Sequence, residues 1–263
     1  MRVIVTRPAA QAMPWVRSLE KHGLKAVALP LIDIGPALDT RSVTEAWQQL
    51  GQARLAMFVS ANAVEHFFAL RPIDTVWPTN VQAGSPGPGT TGALLDAGVP
   101  SSLIVEPAAD SAQFDSESLW ERLRDQDWRA APVLVVRGDG GRDWLADTLR
   151  AHGAEVSFVS AYRRTAPTWN DKMQTLLGEA LTRPDEHLWY FSSSESIDHL
   201  MDHLANSRQQ PTPSAPIGLP VGACALATHP RIARRAEQAG FAPVWLCPPT
   251  IADVVACIQS AAP

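Results

Sequence analysis

Long apolar runs are missing from this chain. No uninterrupted stretch reaches the roughly 18 residues that a membrane-spanning helix needs, so no membrane partner is expected. Positive charge is also in short supply: 22 Lys and Arg stand against 27 Asp and Glu, a net charge of −5. That balance argues against a general nucleic-acid binder or a polybasic membrane anchor, while leaving room for a locally basic cleft. Cysteine is scarce and odd in number, and Cys224, Cys247 and Cys257 form no C-x-x-C pair. They read as buried free thiols of a reducing compartment rather than as disulfide partners or metal ligands. The opening M-R-V-I-V-T-R-P-A-A turns polar within six residues, so no secretory signal is expected and the location is read as cytoplasmic. Common catalytic signatures are missing too: no G-x-x-x-x-G-K-[ST], no H-E-x-x-H and no G-x-S-x-G. The string G-P-G-T-T-G from Gly87 has the wrong spacing for a dinucleotide loop, and no acidic residue closes a following strand, so a nucleotide reading is set aside.

What the chain does contain is one pattern written twice. The first copy runs M-F-V-S-A-N-A-V-E-H-F from Met57, G-P-G-T-T-G-A-L-L-D-A-G-V from Gly87 and F-D-S-E-S-L-W-E-R-L from Phe114. The second runs W-Y-F-S-S-S-E-S-I-D-H-L from Trp189, H-P-R-I-A-R-R-A-E-Q-A-G-F from His229 and P-P-T-I-A-D-V-V-A-C-I from Pro248. In each copy an apolar run meets a Ser that opens a helix, and two more helices with turn or cap signals follow. A duplicated α/β unit with polar loops at corresponding strand ends predicts two similar domains facing each other across a cleft. At 263 residues, 46% of them hydrophobic, the chain has the material for both cores.

Reading along the chain, β-branched and apolar runs alternate with helical spacing. Strands are predicted at Arg2–Thr6, Leu24–Ile32, Leu55–Val59, Asn80–Ala83, Leu103–Val105, Val133–Arg137, Glu155–Tyr162, Leu188–Phe191, Gly222–Ala227 and Val244–Cys247, with helices between them. Such alternation calls for parallel sheets covered on both faces. Asp33–Arg41 and the stretch from Pro167 interrupt the rhythm and read as crossings between domains, and Gln209–Pro220 reads as a mobile proline-rich loop. The stretch after Pro167 is short of strands, and adding the two N-terminal ones balances it. The division is therefore expected to be 1–34 plus 166–263 as a discontinuous domain, with 35–165 inserted and two adjacent crossing strands as the hinge.

Loops rich in Ser, Thr and Gly recur at helix starts: Ser60, Gly87 to Thr90, Ser192, Ser193 and Ser194, and Thr228. Helix N-termini offer unpaired N–H groups and partial positive charge, which suit carboxylate or phosphate. Taken singly, each of these residues reads as a cap on its own helix; matched in both halves, they read as an anion site. Arg7, Arg137 and the pair Arg163 and Arg164 follow strands, and Arg142 opens a helix. Strand-end arginines fork carboxylates toward a crevice, or pair with a neighbour such as Asp139 or Asp143. Tyr162, one of only two tyrosines, sits at the crossing, where its phenol either donates a proton to a leaving group or packs the hinge. His229, at a helix start, is the one histidine considered for the site.

These residues together resemble the uroporphyrinogen-III synthase family. The likeness rests on V-I-V-T-R-P-A, A-L-P-L-I, F-V-S-A-N-A-V, G-P-G-T, D-S-E-S-L, V-V-R-G-D-G-G-R-D-W-L-A-D-T-L-R-A-H-G-A-E-V, A-Y-R-R-T-A-P, F-S-S-S-E-S and a P-T helix near the end. Their order and spacing carry it over nearly the whole chain. The resemblance implies two doubly wound, flavodoxin-like α/β domains joined by a two-stranded connector. It implies a hydro-lyase of haem biosynthesis that takes the linear tetrapyrrole hydroxymethylbilane, eliminates water, inverts ring D through a spiro intermediate and closes the macrocycle. It implies no metal, no organic cofactor and a monomer. It matches Tyr162 to the tyrosine that assists departure of the hydroxyl, and Ser60, Thr90 and Ser192 to positions near the substrate. Arg137 and Arg142 fall in the family's R-G-x-x-x-R stretch. In the second Gly/Thr loop the family often has G-P-x-T-A where this chain has H-P-R-I-A, so Ile232 replaces a hydroxyl, and Thr228, His229 or Arg231 stands in for it. Two competing readings stay open: a two-domain anion-binding protein without chemistry, and a glycosyltransferase-like enzyme with twin α/β domains.

Overall fold

Apolar and amphipathic runs alternate, and in the computed structural model they become alternating strands and helices. The structure describes residues 1–111, 113–207 and 219–261; most of the proline-rich loop read at Gln209–Pro220 lies outside them. In chain order the elements are β1 (Arg2–Val5), α1 (Ala9–Lys21), β2 (Lys25–Ala28), β3 (Asp33–Pro36), α2 (Arg41–Gln49), β4 (Leu55–Phe58), α3 (Ala61–Phe68), β5 (Gln82–Gly84), α4 (Pro88–Asp96), β6 (Ile104–Val105), α5 (Ser116–Leu123), β7 (Pro132–Gly138), α6 (Trp144–Ala151), β8 (Glu155–Thr165), α7 (Asp171–Thr182), β9 (His187–Phe191), α8 (Ser194–Ser207), β10 (Cys224–Ala227), α9 (Pro230–Ala239), β11 (Val244–Leu246) and α10 (Ile251–Ala261). Among the described residues no helix is long and apolar enough to cross a membrane.

The chain divides into one unit of Met1–Asp33 with Thr165–Pro263 and a second of Ile34–Arg164. The first holds a five-stranded sheet in the order β11-β10-β9-β1-β2, every neighbouring pair parallel. The second holds a six-stranded sheet in the order β6-β5-β4-β7-β8-β3, with β4 to β8 parallel throughout. Laid side by side, the orders match strand for strand: β4, β5, β6, β7 and β8 correspond to β9, β10, β11, β1 and β2. The first unit is thus a circular permutation of the second. β3 is an extra edge strand with no counterpart, and it lies beside β8; these are the two strands along which the chain passes between units.

Burial on both sheet faces explains the near-continuous apolar strands. In β9, Trp189 and Phe191 pack with Leu177 of α7, Ile197 of α8 and Ala236 of α9, while Leu188 and Tyr190 pack on the other face with Val16 of α1 and Val254 of α10. In β4, Ala56 and Phe58 meet Trp47 of α2 and Phe67 of α3, and Leu55 and Met57 meet Leu119 of α5 and Leu149 of α6. Three buried indoles are satisfied: Trp47 donates to Phe67 O at 2.8 Å, Trp77 to Val81 O at 2.9 Å and Trp128 to Leu123 O at 2.9 Å. Leaving such a donor unpaired would cost about 1–3 kcal/mol.

Two strand limits differ most from the pattern in the sequence. β2 stops at Ala28 because Pro30 has no N–H to offer, although Leu29 and Leu31 still donate to Val5 O and Thr6 O at 2.9 and 3.2 Å. β8 runs three residues past Tyr162, so Arg163 and Arg164 stand within a strand.

Candidate functional site

In an open α/β sheet the crevice forms where successive connections leave in opposite directions, at the carboxyl ends of the two strands concerned. In the second unit these strands are β4 and β7, and in the first they are β9 and β1. Ser60 follows β4, Gly138 ends β7, Ser192 and Ser193 follow β9, and Thr6 and Arg7 follow β1. Two of the polar loops picked out by the sequence, at Ser60 and at Ser192 to Ser194, stand at these reversal points, while Gly87 to Thr90 and Thr228 follow the next strands, β5 and β10.

In the second unit the structure brings Ser60 and Tyr162 together. Ser60 Oγ lies 3.2 Å from Tyr162 Oη and also caps α3, accepting from Ala63 N–H at 3.2 Å. Arg164 Nη2 donates to the same phenol oxygen at 3.3 Å. Tyr162 is 1% exposed, while Ser60 is half-buried and Arg164 exposed. A whole strand, β7, separates β4 from β8, and the phenol ring crosses it over Gly138, its register partner at a β-bulge. A Cβ on Gly138 would sit 3.0 Å from Tyr162 Cζ and 3.1 Å from Cε2. His66 covers the ring face to face at 5.9 Å and 24°. No sequence signal singled out His66, since its approach to Tyr162 depends on how α3 packs over the sheet.

Arg137 and Arg142 have found partners in the ground state. Arg137 is held by Asp143 and by Gly141 O at 3.1 Å, and Arg142 by Glu117. The pairing alternative for Arg137 is therefore realised; both pairs are open to water on at least one side, and the exposed Arg142–Glu117 pair is worth little. Gly87 and Thr90 open α4, and Thr90 is buried. Beside them is a network that sequence reasoning missed. Thr91 donates to Glu106 Oε2 at 2.6 Å, and Ser85, 2.9 Å from Thr91, donates to Gly87 O at 2.8 Å. It fixes the loop that presents the first N–H groups of α4.

In the first unit, the Arg7 guanidinium lies over Trp15 at 4.5 Å, and Trp15 stacks on Tyr190 at 4.9 Å. Arg7 Nε and Tyr190 Oη are both buried without a hydrogen-bond partner of good geometry. Burial pushes the Tyr190 phenol up to about 12, against the opposing pull of Arg7, so it stays neutral. Ser193 Oγ accepts from Glu195 N–H at 3.3 Å, and Ser194 Oγ is buried without a partner at the first turn of α8. Thr228 N–H bonds Phe191 O at 3.2 Å. His229 is an exposed N-cap, its Nδ1 accepting from Arg231 N–H at 3.1 Å. Ile232 is 4% exposed and packs in the core beside Phe191 and Phe241. Its apolar side chain is used for packing and is not aimed at the crevice.

Among the described residues no group of three or more His, Cys, Asp or Glu is placed to hold a metal ion. The three thiols are unpaired. The chemistry this arrangement offers is anion binding by N–H groups and guanidinium, with one buried phenol next to a half-buried hydroxyl as the proton source.

A family model described as uroporphyrinogen-III synthase HemD matches residues 14–256. Uroporphyrinogen-III synthase of Escherichia coli K12 is 31% identical over 63% of this chain and 66% of its own length. That of Salmonella typhimurium LT2 is 29% identical over the same shares. The chain therefore aligns with just under two thirds of the length of these relatives. Among solved structures, a mutant uroporphyrinogen III synthase from the extremely thermophilic bacterium Thermus thermophilus superposes with a TM-score of 0.57 at 15% identity, covering 99% of this chain and 96% of the other. Uroporphyrinogen-III synthetase from Helicobacter pylori 26695 does so at 0.54 and 16%, covering both chains fully at 100%. At such identities the structural likeness speaks for the fold.

Proposed function

Because the chain belongs to the uroporphyrinogen-III synthase family, we propose that it is a hydro-lyase of tetrapyrrole biosynthesis, converting hydroxymethylbilane to uroporphyrinogen III with loss of water and inversion of ring D. The observation that supports this best is the Tyr162 phenol, bonded to Ser60 at the carboxyl end of β4 and to Arg164 on its other side. It offers a proton source close to the reversal point of the sheet, which supports the reading.

The substrate is a flexible polycarboxylate, and loops with free helix-start N–H groups suit it. Arg7, Ser60, Gly87, Thr90, Arg137, Arg142, Ser192, Ser193, Thr228 and His229 are the proposed contacts. Once the hydroxyl leaves, the azafulvene end is electrophilic and closes unaided to the wrong isomer. The enzyme's task is then to hold ring D so that its substituted carbon attacks, a matter of orientation more than of strong acid–base catalysis. We take the protein to act as a cytoplasmic monomer without metal or organic cofactor.

The test is incubation with enzymatically generated hydroxymethylbilane and separation of the product isomers. Type III product supports the reading. Only the spontaneous type I product, at any enzyme concentration, overturns it in favour of a binding protein without chemistry.

A further inference from the structure

We propose that the proton for the departing hydroxyl leaves this protein from Ser60, with Tyr162 and Arg164 standing behind it in a one-way donor chain. The inference rests on the cyclisation reading above and adds to it the route the proton takes.

Burial is the first observation. Tyr162 is 1% exposed and lies beneath His66, so its oxygen has little access to a bound molecule. Ser60, half-buried at the carboxyl end of β4, is more open to a ligand than the phenol behind it. Either oxygen can donate across the Ser60–Tyr162 contact, and in the proposed chain the phenol is the donor. Arg164 has only hydrogens to give and donates to Tyr162 Oη. The phenol has one hydrogen, and Ser60 Oγ at 3.2 Å is there to accept it. Ser60 Oγ already accepts Ala63 N–H, so with the phenol donating to it both its lone pairs are engaged and its own hydrogen is left for a ligand. Every donor in Arg164–Tyr162–Ser60 thus faces the same way, toward the ligand. His66 lies parallel to the phenol ring, an arrangement that covers the ring without competing for its proton.

The step balances within the chain. Ser60 Oγ–H passes to the substrate hydroxyl as the C–O bond breaks and the electron pair leaves with oxygen, giving water. The pyrrole nitrogen lone pair fills the vacated carbon. Tyr162 Oη–H passes to Ser60, and the phenolate rests against the Arg164 guanidinium. When ring D has attacked and the closing pyrrole regains aromaticity, the proton it loses returns through Ser60 to Tyr162. No oxidant, reductant or further co-reactant is involved. Ser60 is then the catalytic residue in contact with substrate, and Arg164 a positioning residue acting through Tyr162.

Isomer-resolved rates with enzymatically generated hydroxymethylbilane, in H2O and in D2O, test this. Glycine is almost as good an N-cap as serine, so Ser60→Gly removes the hydroxyl while keeping the start of α3. Tyr162→Phe and Ser60→Gly are each expected to lower kcat by about 100-fold or more with KM little changed. The double variant should be no slower than the slower single, as for groups that act as a unit, and Ser60→Thr should restore turnover. The solvent isotope effect on kcat should vanish in Ser60→Gly, which loss of a cap alone would not cause. Arg164→Gln should lower kcat at constant KM. Wild-type kcat in Ser60→Gly beside a slow Tyr162→Phe would overturn the relay, leaving Tyr162 to act directly, and so would multiplicative losses in the double variant. A rise in KM with unchanged kcat in Arg164→Gln would remove Arg164 from the chain and assign it to substrate binding. Failure of the cyclisation reading looks different, because the wild-type protein itself would then give only type I product, and both proposals would fall together.

Discussion

Gly138 is where a single methyl group should separate packing from catalysis. Its Cβ would lie 3.0 Å from Tyr162 Cζ and 3.1 Å from Cε2, where ordinary contact begins at 3.4 Å. The ring must therefore move by roughly 0.4 Å at the end that carries the hydroxyl, and it is closed in by His66 and the core around Phe58. Overpacking of this size costs about 1–3 kcal/mol, or roughly 2–4 °C in Tm per kcal/mol for a chain of this size. The 3.2 Å bond to Ser60 and the 3.3 Å bond from Arg164 are already long. A further displacement of about 0.4 Å takes both beyond useful hydrogen-bond length. Gly138→Ala is thus expected to lower Tm by about 2–12 °C and to lower kcat nearly as far as Tyr162→Phe, with KM preserved. Differential scanning fluorimetry and the isomer-resolved assay read the two effects. A Gly138→Ala protein that melts and turns over like wild type would show that the phenol does not cross β7 at this glycine, and the geometry proposed for the proton route would be wrong.

Gly178 provides the opposite case: it lies inside α7, nothing meets its Cβ within 4 Å and its φ is ordinary. Gly178→Ala should stabilise by about 0.5–1 kcal/mol, and a lower Tm would refute that. Burial holds the His203 imidazole, stacked on Trp169 at 3.8 Å, below its usual 6.5. The neutral ring's contribution to stability is therefore full above pH 6.5 and is lost as pH falls through the depressed value; melting between pH 7.5 and 5 should fall more steeply in wild type than in His203→Gln, and parallel curves would count against it. Trp15 holds the Arg7 guanidinium, a contact of about 1 kcal/mol. Trp15→Ala should raise KM roughly fivefold at that energy but add nothing in an Arg7→Ala background; an unchanged KM would break the link.

Local chemistry made most elements legible. Trp189 to Phe191 reads as a buried strand because it is short, apolar and bounded by Ser192, and Gly23 ends α1 with φ +78°, where glycine is needed. Ser60 is legible as a helix start because a cap is a matter of neighbouring residues. What lay beyond reach were contacts made across the sheet. Tyr162 and Ser60 are 102 positions apart, and their meeting depends on β7 lying between them with a glycine at one register position. A sequence shows Gly138 but not what passes over it. The role of Ile232 was equally hidden: the helix pattern of H-P-R-I-A-R-R is plain, but whether its fourth residue faces crevice or core is decided by how α9 rolls against β10.

Thr6 donates to Tyr190 O across 184 positions, and this pairing of β1 with β9 has a consequence for how the chain is assembled. During synthesis β1 and β2 emerge first, yet the strand that joins them to β10 and β11 is made only after all of Ile34–Arg164. As an open loop that insert would make the junction slow to find. Once folded, its first and last strands β3 and β8 are neighbours, so the insert becomes a short clasp holding residues 33 and 165 near each other. The inserted half is thus a template the discontinuous half waits for, and pulse-labelled exchange should protect amides of β4 and β7 before those of β1 and β9. The reverse order would show that the early strands find their partner without the clasp.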